Sequence, residues 1–106
     1  MVTPEILNVV KQYLQGITSQ GLHISHAYIY GSQVHGTATA ESDIDLLLVS
    51  PLFDRDINKY LGVLWEGSFR CENKIEPYPV GEQRFLTDES SPIIAVVKEE
   101  GIEVAA

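Results

Sequence analysis

Between Pro4 and Gly21 apolar side chains return every three or four residues, at Ile6, Val9, Val10, Tyr13, Leu14 and Ile17, the spacing of one face of a helix. Thr3 before Pro4 predicts the start of that helix, because threonine caps an N-terminus and proline fits the first helical position. Gly21 predicts its close. From Ile24 to Tyr30 the pattern changes to a short apolar and aromatic run, read as a strand that leads directly into Gly31-Ser32. Asp43 to Ser50 is the clearest strand, with Ile44, Leu46, Leu47, Leu48 and Val49 nearly continuous, as expected where both faces are covered. Pro51 ends it.

Asp54 or Asp56 then caps a second long amphipathic helix, with Ile57, Tyr60, Leu61, Leu64, Trp65 and Phe69 assigned to its core face. Lys74 to Val80 reads as a third strand, which Pro77 and Pro79 keep at an edge or end early, since proline donates no ladder hydrogen bond. Ser91-Pro92 opens a last helix carrying Ile93, Ile94, Val96 and Val97, stopped at Gly101, and Ile102 to Val104 adds a short strand. The order α-β-(α)-β-α-β-α predicts an α/β (α+β) fold, a small mixed sheet with helices packed on it. At 106 residues the chain suits one domain, 1–106.

Composition narrows the chemistry. The net charge is −8, from 15 acidic residues against 7 lysines and arginines, with no basic cluster. A long nucleic acid is therefore a poor partner, because neutralising its phosphates takes grouped cations. Cys71 is the single cysteine, so no internal disulfide forms, which fits a reducing compartment. Met1 to Ile17 is broken by Glu5, Asn8, Lys11 and Gln12 and does not read as a signal peptide. No apolar run approaches the roughly 20 residues that span a bilayer. A cytoplasmic location, with no membrane partner, is the expectation.

The chemistry concentrates in Tyr30-Gly31-Ser32-Gln33-Val34-His35-Gly36 and Ser42-Asp43-Ile44-Asp45-Leu46. Residues two apart on a strand share a face, so Asp43 and Asp45 project together while Ile44 faces away. Two carboxylates side by side repel unless a cation lies between them, and hard oxygen ligands are what Mg²⁺ prefers. A glycine lets the backbone approach a phosphate, and the following serine hydroxyl and N–H groups can donate to it. His35 suits a hydrogen bond near this loop better than a metal, and His23 and His26 lack a partner at metal-ligating spacing. Arg55, Lys59, Arg70 and Arg84 are candidates to reach phosphates.

Gly31-Ser32, ten residues, then Asp-x-Asp resembles the signature of the DNA polymerase beta-like nucleotidyltransferase superfamily. The short length and the run Leu46-Leu47-Leu48-Val49 are most similar to its minimal nucleotidyltransferase branch. The resemblance implies that Gly31, Ser32 and Gln33 bind a nucleoside triphosphate, and that Asp43 and Asp45 hold catalytic Mg²⁺, two ions in all. It also implies a third carboxylate on a later strand, metal ligand and base at once; Glu76 is the best candidate and Glu72 its nearest competitor. Arginine often follows Gly-Ser in the family and a second basic residue precedes the next glycine, where this chain has Gln33 and His35.

The activity so implied is transfer of AMP from ATP to a hydroxyl acceptor. Relatives of this size resemble the antitoxin partners of helical HEPN-type toxins, which implies a HEPN-family protein as the acceptor. An alternative reading is a nucleotidyltransferase-fold module with a degenerate site that neutralises its partner by complex formation, motivated by Gln33 and His35. A third is nucleotidylation of a small cationic molecule, compatible with the charge but requiring a homo-oligomer to build the acceptor cleft.

Overall fold

The computed structural model describes residues 2–39 and 41–104. Both ends of the expected 1–106 domain, and Ala40, lie outside the described residues. Helix α1 (Pro4–Ser19) begins where the sequence predicts, with the Thr3 hydroxyl accepting from the Ile6 N–H at 3.2 Å. It buries Val10, Tyr13, Leu14 and Ile17. Strand β1 (His26–Tyr30) follows, then the single-turn helix α2 (Ser32–His35) and strand β2 (Ile44–Ser50). The second long helix is shorter than expected. Two 3₁₀ turns, Pro51–Asp54 and Ile57–Tyr60, take up its first half, and α3 (Leu61–Arg70) the second. Strand β3 (Ile75–Gly81), helix α4 (Glu82–Thr87), helix α5 (Pro92–Glu100) and strand β4 (Ile102–Val104) complete the chain.

The four strands form one sheet in the order β3-β2-β1-β4. β1 runs antiparallel to β2 and to β4, while β2 and β3 are parallel, joined by α3 as the crossover. β3 lies at an edge, where Pro77 and Pro79 cost no ladder bonds on the open side. The period of two along the strands separates two cores. Ala27, Ile29, Ile44, Leu46, Leu48 and Ile75 face α1 and α3. Leu47, Val49 and Val80 face the other way, where Ile94 and Val97 of α5 cover them. β2 is thus buried on both faces, as its continuous hydrophobicity predicts.

Two further expectations are overturned. Trp65 and Phe69 are not on the core face of their helix: they are 53% and 69% exposed, while Leu64 and Ser68, one position earlier, are buried. The cause lies in α1. The Tyr13 hydroxyl donates to the Leu64 carbonyl at 3.0 Å, and a Cβ on Gly67 would sit 2.9 Å from the Tyr13 ring, so α3 turns its small side to α1. The Ser68 hydroxyl then donates to the Ile75 carbonyl and fixes the rotation against β3.

Helix α4 is the second difference, since the sequence predicts no element there. Its opening N–H groups on Gln83 and Arg84 are taken by the Asp54 carboxylate, at 2.9 and 3.5 Å, from a turn far back in the chain. The same carboxylate fills the space where any side chain at position 81 would stand, which explains Gly81. Among the described residues no helix is long and apolar enough to cross a membrane.

Candidate functional site

β1 delivers its last residue, Tyr30, to a glycine that only a glycine can replace. Gly31 has φ +78° and ψ −143°, and a Cβ there would stand 2.5 Å from Oδ2 of Asp45. The missing side chain thus serves two purposes, a sharp exit from the strand and close approach of the backbone to a carboxylate. The Gly31 carbonyl accepts from the Val34 and His35 N–H groups at 3.0 and 3.2 Å, which winds α2. The N–H groups of Ser32 and Gln33 precede those bonds and open the helix. Gly36, at φ +75°, ends it in the left-handed conformation.

The sheet register then gathers the carboxylates. Asp45 on β2 lies opposite Tyr30 on β1 and opposite Glu76 on β3. Asp43, two residues before Asp45 and just ahead of the strand, is exposed and adds its charge to the group. The Asp45 carboxyl is held above the usual carboxylate range, first by partial burial, then by the charges of Glu76 and Asp43 and by a hydrogen bond shared with Glu76. The same environment acts on Tyr30, whose phenol is pushed up to about 12 by burial and then by Asp45, Glu76 and Tyr78.

Of the residues singled out from sequence, Gly31, Asp43, Asp45 and Glu76 come together at one end of the sheet. Glu72 does not: it sits in the turn after α3 at φ +60°, on the α1 side of the sheet. Gln33 also faces away from the carboxylates, beside Ile6, Val9 and Ile44. His35 pairs with Glu100 at the end of α5, Nε2 to Oε1 3.3 Å. Arg70 and Arg84 are taken up by Glu66 and Asp88, at 2.5 and 3.1 Å, and Lys59 lies over the Tyr60 ring. Tyr30 and Tyr78 border the carboxylates without having been singled out for the site. The period of two from Glu76 to Tyr78 would have placed Tyr78 on that face.

The arrangement fits a divalent cation in charge but not yet in shape. A carboxyl whose proton affinity is raised by burial and by its neighbours' charges, as that of Asp45 is, would be relieved by a hard cation. As the side chains stand, however, no three His, Cys, Asp or Glu groups among the described residues are close enough to hold one.

The profile of the family described as "Polymerase beta, Nucleotidyltransferase" matches residues 11–76, the span from α1 to the Glu76 strand. Among solved structures, a crystal structure of a protein from Sulfolobus solfataricus, provisionally assigned as a nucleotidyltransferase, is similar in fold. It shares 18% identity at a TM-score of 0.61, over 93% of this chain and 78% of that one. No curated protein matches significantly.

Proposed function

The chain belongs to the polymerase beta nucleotidyltransferase family, and on that premise we propose that it transfers AMP from ATP to a hydroxyl on a protein acceptor, with Mg²⁺ at the carboxylates. One observation carries the reading: the register sets Glu76 opposite Asp45, and Gly31 lays its backbone against the same carboxylate. A phosphate turn and an acidic pair in contact are what a triphosphate bound through a cation requires.

Asp45 and Glu76, with Asp43 beside them, would hold the cation. When bound it neutralises triphosphate charge and polarises the phosphoryl oxygens. The Ser32 hydroxyl and the N–H groups that open α2 hold the phosphates by donating to their oxygens. Glu76 is exposed and can meet an incoming hydroxyl, from which it takes the proton. The hydroxyl oxygen forms a bond to the α-phosphorus as the bond from that phosphorus to the bridging oxygen breaks, and pyrophosphate leaves. Tyr30, kept neutral by its surroundings, walls the site from β1.

A HEPN-type toxin protein is the acceptor in this reading, which makes the chain an antitoxin. The chain's −8 charge supports a protein that supplies its own basic surface. A second reading, a degenerate module that neutralises its partner by binding alone, is favoured by the lack of a formed three-ligand cation site among the described residues and by the capture of His35 by Glu100.

The two are separated by ATP labelled on the α-phosphate, incubated with Mg²⁺, the chain and a candidate HEPN-type partner. Label in a partner band with wild type and none with Asp45→Asn supports the transferase. A stable complex with no label from ATP or any other nucleotide supports the module, and neither complex nor label would sink both.

A further inference from the structure

Helix α3 has two sides that ask for cover. Its inward side is already covered, with Leu64 and Ser68 against the sheet and Gly67 against the Tyr13 ring of α1. Its outward side repeats at the same helical spacing, and there Gly62, Trp65 and Phe69 are all exposed. Trp65 and Phe69 lie four residues apart, so their rings adjoin on one surface. Adjoining exposed aromatics mark an interaction surface, because a helix with apolar residues on both sides is normally buried on both.

Charge indicates what covers it. Residues 57–75 hold three of the chain's seven lysines and arginines, Lys59, Arg70 and Lys74, but only two of its fifteen acids, Glu66 and Glu72. Glu66 and Arg70, which flank the rings, neutralise one another in an ion pair at 2.5 Å. The −8 charge therefore lies on the rest of the molecule. A basic partner is steered to that acidic remainder, whereas a second copy is repelled by it and must approach through a surface without excess acid.

Shape agrees. Gly62 stands in the first turn of α3, and a Cβ on it would meet nothing within 4 Å, so no packing inside the chain explains a glycine there. If two α3 helices run antiparallel about a two-fold axis beside Trp65, positions 62 and 69 are equidistant from the axis. Phe69 of each copy then lies over the bare backbone at Gly62 of the other, and the Trp65 rings meet in the middle. Strand pairing does not compete at the neighbouring β3 edge, which Pro77 and Pro79 leave short of N–H groups.

We infer that the outward face of α3 is a self-association surface, an antiparallel α3–α3 contact between two copies of this chain. The carboxylates stay open in the dimer, because Asp45 alternates with Ile44 and Leu46 and faces the α5 side of the sheet with Glu76. Such a dimer forms whether or not the chain transfers a nucleotide. It is weak: at roughly 150–250 Å² per aromatic side chain, the exposed parts of Trp65 and Phe69 in two copies amount to roughly 500 Å². That falls well short of the roughly 1,200 Å² of a stable interface, so a dissociation constant on the order of 10–100 μM is expected.

Trp65 is the single tryptophan of the chain, so its fluorescence reports on the contact itself. Sedimentation equilibrium of the full chain from roughly 5 to 500 μM should show the mass rising from one copy toward two. Trp65 emission should move to shorter wavelength in step, and added salt should strengthen the dimer by screening the acidic remainder. Gly62→Glu puts a charge in the notch at a first-turn position where glutamate suits a helix, so the variant should stay folded while its association weakens roughly tenfold or more. Trp65→Ser should weaken association likewise, read by mass alone. A monomer at every concentration, a dimer whose Trp65 emission does not move, or a Gly62→Glu variant that dimerises like wild type would overturn the inference.

Discussion

Replacing Gly31 by alanine tests the contact on which the site is built. Two costs should add. The backbone at φ +78°, ψ −143° lies close to a region that only glycine occupies comfortably, a strain of about 1–3 kcal/mol. The new methyl would also stand 2.5 Å from Asp45 Oδ2, so the carboxylate must leave its rotamer at a further cost of about 1 kcal/mol. Together they amount to about 2–4 kcal/mol, or a fall in Tm of roughly 10–20 °C for a domain this small. Urea denaturation should show a lower midpoint with unchanged slope. The two terms are separable. In an Asp45→Ala background the nearest remaining Asp45 atom, Cβ, lies at 3.7 Å, so the steric part vanishes and only the backbone strain survives. Gly31→Ala should therefore cost about 1 kcal/mol less in that background, a coupling read from the double-mutant cycle. Gly36→Ala is the control for strain alone, with φ +75° and nothing near its Cβ, at about 1–2 kcal/mol. An equal cost of Gly31→Ala in both backgrounds would refute the claim that the glycine makes room for the carboxylate.

Four further outcomes are expected. Asp45→Asn in metal-free buffer should stabilise the fold by about a few tenths of a kcal/mol, the scale of a partly exposed like-charge contact. Because the folded Asp45 pKa is raised, stability is fullest at acid pH and is lost as pH rises through it, so the advantage of the variant should grow from about pH 4 upward in Tm-against-pH curves. Tyr13→Phe removes the hydroxyl that reaches the Leu64 carbonyl and should cost about 1 kcal/mol in urea denaturation. Asp54→Ala strips the cap from α4 and should cost about 1 kcal/mol, measured by thermal unfolding, with faster amide exchange confined to Glu82–Thr87. Trp65→Ser with Phe69→Ser should change stability by no more than about 0.5 kcal/mol each, since both side chains are mostly exposed; a loss of about 3 kcal/mol would return them to the core.

The sequence by itself determined the strands and the caps at Thr3 and Ser91, limited β3 to an edge or an early end, and singled out the carboxylates proposed for the site. These are local signals: a period of two or 3.6, a proline without an N–H, a hydroxyl three residues before the N–H it caps. Asp43 and Asp45 are legible for the same reason, since two-residue spacing on a strand needs no other part of the chain. Tertiary structure decided what depends on distant partners. Glu76 meets Asp45 only because β2 and β3 pair in parallel in one register. Helix α4 depends on Asp54, and the rotation of α3, which leaves Trp65 and Phe69 in solvent, depends on Tyr13 reaching Leu64 across 51 residues. Gln33 looked from the sequence like part of the phosphate turn, and packing against α1 turned its side chain to the other face of the sheet. Each of these is settled by packing and hydrogen bonds between segments far apart in the chain, and the hydrophobic pattern of one segment carries no record of which neighbour it will meet.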